Sequence, residues 1–237
     1  MGAVPDDELR WSPAIWTASH AELFARFREL SDEAAVLSEE VRAFLDASRV
    51  NDASLNILDF GGGTGELVAK ASRTSDRVLI VDPVRGPSST LADESPTFDA
   101  LVFSHVLALV ADPQALFVEL ATYSQPRAGA LAVVLDDTGT QADICRGAAG
   151  TDSHFLDHFG HAQRIERLFA VAGTAFRSHT IASRAIASSY DDLLTVVAFF
   201  LDAAIDELVL RLASAIPREP DGDWILTTHH RVFAWHL

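Results

Sequence analysis

The chain has 237 residues, 49% of them hydrophobic, which is enough for one large α/β domain with appendages. Its 34 acidic against 18 basic residues give a net charge of −16, which opposes binding to phosphate backbones or anionic lipid through bulk electrostatics and favours a small partner over nucleic acid or membrane. One cysteine, Cys145, leaves no internal disulfide and no thiolate metal cluster, and the longest apolar run, Leu193 to Leu201, is stopped by Asp202 well short of the roughly 18 residues of a membrane span. The N-terminus, MGAVPDDELRW, carries acids where a signal peptide has basic residues followed by an apolar stretch. A cytoplasmic protein is the expectation.

Two amphipathic helices come first, with Trp16, Leu23, Phe24, Phe27 and Leu30 at helical spacing, then Leu37, Val41, Phe44 and Leu45. They read as an N-terminal helical cap over residues 1–50, part of the same domain as residues 51–237. Five short apolar runs of strand composition follow: LNILDF, RVLIVD, FDALVFS, ALAVVLD and TAFRSHTIAS, with helical stretches such as ELVAKAS and PQALFVELATYS between most of them. Strand, helix and strand in succession imply parallel pairing through right-handed crossovers, hence a Rossmann-like doubly wound α/β sheet, mostly parallel, with an antiparallel last strand. A helical insertion at about residues 190–216 ends at Pro217, and DWILTTHHRVFAWHL, entered through Pro220, Asp221 and Gly222, closes the chain as a strand.

The turn after the first strand carries the chemistry. In LNILDFGGGTG, Asp59 is followed by four glycines in five positions, which lets backbone come close to a ligand. Dinucleotide enzymes use G-x-G-x-x-G, whereas Gly61, Gly63 and Gly65 alternate strictly and Glu66 stands where the last dinucleotide glycine would be. A carboxylate just before the turn repels a pyrophosphate and attracts an ammonium group, and S-adenosylmethionine carries a free amino group.

These residues resemble the class I S-adenosylmethionine-dependent methyltransferases. ILDFGGGTG resembles their first motif and VLIVDP their second strand, ending in the acid that grips the ribose hydroxyls, which falls on Asp82. FDALVFSHVLALVADP resembles the fourth-strand motif, SQPRAGALAVVLDD the turn and fifth strand, and DHFGHAQRIERLFAVAGTAF the segment leading into the sixth strand. The resemblance covers about residues 50–185 in order, and WTASHAELFARFRELSDEA with the closing helix and strand resembles the small-molecule branch that includes histamine N-methyltransferase. It implies S-adenosylmethionine as cofactor, held by Asp59, Gly61, Gly63, Gly65, Asp82, Pro83 and Ser104. It also implies transfer to an N, O or C atom of a small molecule, with specialised metabolism as a setting.

Two departures stand out. Only the fifteen residues from Pro83 to Thr97 separate Asp82 from Phe98, too few for a crossover helix and strand, so the third strand is expected to be missing or vestigial. Arg127 and Ala128 replace the usual glycine after Pro126, a change expected to affect only a surface turn. His105, directly after the fourth strand at the carboxyl edge where open sheets bind ligands, is the first candidate for a base or acceptor-orienting residue. His154 and His158, with His161, Asp152 and Asp157, form a second group, for which acceptor contacts are favoured over a metal site. Trp11 and Trp16 are candidates for an acceptor wall or for core. His229 and His230 lie on a strand that alternates faces, so at most one points inward, and a structural role is expected. Cys145 reads as a small packed residue. Two other classes stay open: a methyltransferase-like scaffold or partner subunit without activity, and an enzyme using the same cofactor, or a nicotinamide, for other chemistry.

Overall fold

The five apolar runs of strand composition and the closing DWILTTHHRVFAWHL each form a strand of one sheet. The computed structural model describes residues 25–82, 97–107, 110, 112–149, 161–200, 218, 220 and 222–237, without the side chains of 145, 147–149 and 198–200. The strands are β1 Asn56–Phe60, β2 Arg77–Val81, β3 Phe98–Ser104, β4 Ser124–Leu135, β5 Phe176–Ala187 and β6 Trp224–His236. The helices are α1 Glu33–Ser48, α2 Glu66–Ala71, α3 Pro113–Ala121, α4 Thr140–Ala149, α5 His161–Ala172 and α6 Tyr190–Phe200, and residues 25–30 are also helical.

The sheet order is β2-β1-β3-β4-β6-β5. β1 to β4 are parallel, and β6 runs antiparallel between β4 and β5. This is the expected Rossmann-like doubly wound arrangement, and among the described residues β2 forms its edge, with no third strand beyond it. The segment 83–96, on which that expectation turned, lies outside the described residues. So do Pro83, His154, His158, Trp11 and Trp16, and so does the side chain of Cys145.

In β1, β3 and β4, where both faces are covered, residues of either parity are buried, whereas β2 is partly exposed and β5 is buried only towards its end. On one face Leu58, Phe60, Leu101, Phe103, Phe233 and Trp235 pack against Leu116 and Leu120 of α3 and Ile165 and Phe169 of α5. Trp235 stacks on Phe103 at 6.0 Å and meets Phe169 at 4.9 Å, so the antiparallel strand is locked to the parallel part by aromatic contact. On the other face Ile57, Val102, Val133 and Val232 pack against Leu37, Val41 and Leu45 of α1 and Val68 of α2. The predicted second cap helix, α1, is therefore a layer of the sandwich. Its start is pinned to the far edge, where Asp32 N–H donates to the Arg184 carbonyl at 3.0 Å and Arg184 N–H returns a bond to Asp32 Oδ1 at 2.6 Å.

Two local features depart from the sequence reading. The Pro126–Arg127–Ala128 segment is part of β4 and not a separate turn: Ser124 faces Phe98 and Gly129 faces Ala100, so the residues between them bulge out of register. Arg127 takes φ +69°, a left-handed conformation that costs a non-glycine residue, and its carbonyl accepts a 3.1 Å bond from His236 Nδ1. The second feature is α4, which the sequence pattern did not announce. It follows Gly139 at φ +98° and is tied to β6 by Thr227 N–H donating to Thr140 Oγ1 at 2.6 Å and by Thr228 donating to the buried Gln141.

At the amino edge of β1 and β2, Arg49 makes a two-pronged ion pair with Asp76 at 2.7 and 2.5 Å, both side chains being almost fully buried. Asp76 also accepts from the Leu55 and Arg73 amides. The Arg49 guanidinium, with these amides, holds its carboxyl down to about 2 despite burial. A carboxyl depressed from 3.8 to about 2 contributes stability that is complete above pH 4 and lost as pH falls through 2, on the order of 2 kcal/mol. Asp76→Ala is expected to cost about 3 kcal/mol in urea unfolding at pH 7, since it leaves Arg49 buried and unpaired, and much less at pH 2; an equal loss at both pH values would show that the pair contributes nothing.

Candidate functional site

The parallel strands β1 and β3 deliver their chemistry to one edge. β1 ends at Phe60, and the next amide, Gly61 N–H, donates to the Val81 carbonyl at 2.7 Å, so the glycine turn is stitched to the end of β2. Gly61, Gly63 and Gly65 have φ of +78°, +59° and +73°, the left-handed region that glycine enters without strain. A side chain at Gly61 would strike Val106, one at Gly62 the Asp59 carboxylate, and one at Gly65 Ile80. At Gly63 a Cβ would meet only Asp82 Oδ2, at 3.6 Å. Gly61, Gly62 and Gly65 are thus packed too tightly for a side chain, and Gly63 alone of the four has room for one, facing Asp82.

Asp59 lies beneath this turn, 1% exposed, and neither of its carboxylate oxygens has a hydrogen-bond partner. Burial first, and the neighbouring Asp82 carboxylate second, push its carboxyl up to about 7. A buried, unpartnered carboxylate costs stability unless something charged completes it, and an ammonium is the complement its two bare oxygens ask for. Asp82, half-buried just past the end of β2, faces the same opening. Ser104 ends β3 opposite Val133.

The next residue, His105, has φ +55° and donates its amide to the Val133 carbonyl at 2.9 Å, so its side chain is turned away from the strand direction. Its Nε2 lies 2.9 Å from Glu33 Oε1, yet that nitrogen has no hydrogen bond of good direction. The His105 ring stands 5.3 Å from the ring of His230. His230 is fully buried on β6; its Nε2 is 2.7 Å from Ser183 Oγ on β5, and its Nδ1 has no partner. Burial, with His105 and His229 adding to it against Glu33, takes its pKa down to about 4, so the ring is neutral at physiological pH. For Glu33, burial raises the carboxyl pKa but His105, His230 and Arg28 together bring it below the ordinary carboxylate value.

Of the residues singled out in the sequence, Asp59, Gly61, Gly63, Gly65, Asp82, Ser104 and His105 thus line one edge, and contact between Gly61 and Val106 joins the turn to the His105 corner. His161 is buried at the start of α5. Glu33 and His230 were missed. Strand alternation allowed one of His229 and His230 to point inward, and it is His230; His229 faces the other way, to Thr138 Oγ1 at 2.8 Å. Nothing in the local sequence marks Glu33, which enters because residues 31 and 32 pair with β5.

The family model described as "Methyltransferase domain" matches residues 24–179, about two thirds of the chain. The chain belongs to this methyltransferase family. S-adenosylmethionine is accordingly the methyl donor. No curated protein matches the methyltransferase in sequence. Among solved structures it is similar to the plantazolicin methyltransferase BamL in complex with a triazolic desmethylPZN analog and SAH, at 11% identity and TM-score 0.47 over 90% of each chain. It is also similar to the YcgJ protein from Bacillus subtilis, at 11% identity and TM-score 0.47 over 84% of this chain and 98% of that one. A third is a cyclopropane-fatty-acyl-phospholipid synthase-like protein from Lactobacillus casei, at 13% identity and TM-score 0.46 over 93% and 96%. Likeness at this level carries no information about substrate. No helix among the described residues of the methyltransferase is long and apolar enough to cross a membrane.

The state of Asp59 has a measurable consequence. A carboxyl raised from 3.8 to about 7 on folding makes the apoprotein less stable as pH rises from about 4 to 7, with no further change above that. Asp59→Asn is therefore expected to stabilise the apoprotein at pH 8 and to change it little at pH 4, read by thermal unfolding at the two pH values. A variant equally destabilised at both would show that the carboxylate is satisfied in the folded chain.

Proposed function

We propose that this chain transfers the methyl group of S-adenosylmethionine to an N, O or C atom of a small molecule held at the carboxyl edge of the sheet, in the cytoplasm. The observation that supports the reading is the Asp59 carboxylate, buried with two oxygens that have no partner among the described residues, under a glycine turn in which Gly63 faces Asp82. In this reading Asp59 takes the ammonium of the methionine part, and Gly61, Gly63 and Gly65 let the backbone pass close to it. Asp82 accepts from the two ribose hydroxyls, while Ser104 flanks the nucleoside. A charge of −16 on the chain fits an acceptor that is neutral or cationic better than a polyanion.

When bound, the cofactor supplies a methyl group already activated on a sulfonium, so the protein's tasks are alignment and the exclusion of water. His105 has the place for acting on the acceptor. It follows β3 at the edge where the turn also ends, and its side chain is 27% exposed between the buried Glu33 and His230, so one flank of the ring is open to a ligand. Its left-handed backbone aims the ring across the edge instead of along β3, a strained conformation of the kind that persists where surrounding contacts hold it.

Calorimetry with S-adenosylmethionine and S-adenosylhomocysteine tests the cofactor assignment. Asp82→Ala is expected to weaken binding by about 2–3 kcal/mol, through loss of a charged acceptor for two hydroxyls. An unchanged dissociation constant would remove Asp82 from the ribose. His105→Ala is expected to lower turnover roughly 10²-fold with cofactor affinity nearly intact, measured on whichever acceptor mass spectrometry of the co-purified ligand identifies. Turnover per folded molecule equal to that of the parent would leave His105 with a packing role only. A chain that binds neither cofactor form would instead support the inactive scaffold.

A further inference from the structure

We infer that Glu33, His105 and His230 form a binding site for a divalent first-row transition-metal ion beside the methyl-transfer edge. One carboxylate oxygen and one ring nitrogen from each histidine all lie within 4.8 Å of one another. The three residues come from the start of α1, the end of β3 and the middle of β6, so only the tertiary fold assembles them.

Two independent features point to an ion. His230 Nδ1 is a buried nitrogen with no hydrogen-bond partner among the described residues, and it converges with His105 Nε2 on the Glu33 carboxylate, which lies 2.9 Å from His105 Nε2. Buried polar atoms are paired in the great majority of cases, so the bare Nδ1 beside this pair points to a missing partner. The second feature is Ser183 Oγ, 2.7 Å from the other nitrogen of His230. If Nε2–H donates to that hydroxyl, the free lone pair is left on Nδ1, which is the tautomer a ligand needs and the kind of outer support metal-bound histidines usually have.

Two imidazoles and one carboxylate suit zinc, iron, manganese, cobalt or nickel and suit magnesium or calcium poorly. The opposing observation is Arg28, whose charge acts on Glu33, but that guanidinium is itself paired with Glu66 at 3.0 Å. Glu33 and His230 are buried and the His105 side chain is 27% exposed, so the cluster lies at the margin of the core. An acceptor hydroxyl or amine bound there would be oriented and more readily deprotonated, its proton passing to solvent. As its new bond to the methyl carbon forms, the carbon–sulfur bond of the donor breaks and sulfur keeps the electron pair. This role rests on the functional reading above, whereas binding of the ion does not.

The test uses the full chain, freed of metal by chelation and of any affinity tag. Titration with Zn²⁺ alone and Mn²⁺ alone by calorimetry is expected to show one saturable site per chain, and Co²⁺ to give visible absorption of a bound ion. Glu33→Gln and His230→Gln should each weaken Zn²⁺ binding at least tenfold. Ser183→Ala, which keeps all three ligands, should weaken it by a smaller factor and serves if the other variants fail to fold by circular dichroism. S-adenosylmethionine affinity of the metal-free protein is measured alongside, so that failure of the cofactor reading and failure of the metal reading appear in different titrations. Absence of stoichiometric binding by the parent chain, or binding that survives all three substitutions unchanged, overturns the inference and leaves a metal-free Glu33–His105 pair.

Discussion

The rest of the site depends on one constraint: the Asp59 carboxylate is folded back under the turn that follows it, and only residues without a side chain can pass over it. Gly62 is needed because a Cβ there would collide with that carboxylate, and Gly65 because a Cβ would collide with Ile80. The turn is held down by the Gly61 amide on the Val81 carbonyl. In return the protein keeps a carboxylate 1% exposed, without partners and next to a second acid. This is a destabilising arrangement in isolation, and it makes sense as the half of an ion pair whose other half arrives with the ligand.

That cost is offset by rigid packing on both sides of the sheet. The Arg49–Asp76 pair fixes the amino ends of β1 and β2, the apolar layer beneath α1 and α2 covers one face, and the aromatic layer around Trp235 covers the other. Asp59, Asp82 and His105 are at the opposite, carboxyl ends of β1, β2 and β3. The division follows from parallel pairing, which puts the ends of β1, β2 and β3 side by side and so places turns from distant parts of the sequence against one another.

Glu33 shows how the edge is completed from outside the parallel unit. Ser31 and Asp32 pair with β5, and that pairing sets the first residue of α1 over His105 and His230. The antiparallel β6 carries His230 between β4 and β5, with Leu135 opposite it on one side and Ile181 on the other. The start of α1 and the last strand, which surround the parallel core, therefore both reach the His105 corner, while the glycine turn and Asp82 belong to the core itself.

The sequence by itself determined the parallel core, because alternating strand and helix runs permit one hand of crossover, and it determined where Asp59, the glycines and Asp82 stand, because they lie at the ends of their strands and need no long-range contact to be placed. The position of His105 was legible for the same reason. The strand-like bulge at Arg127 and the helix α4 were not, since the first depends on pairing with β3 and the second on bonds to Thr227 and Thr228 more than eighty residues away. Glu33 and His230 were decided only by the tertiary structure. A carboxylate beginning an ordinary helix and a histidine in an alternating strand carry no signal of their own; burial against each other and against His105 gives them one, and that burial exists only once β5 and β6 have closed the sheet.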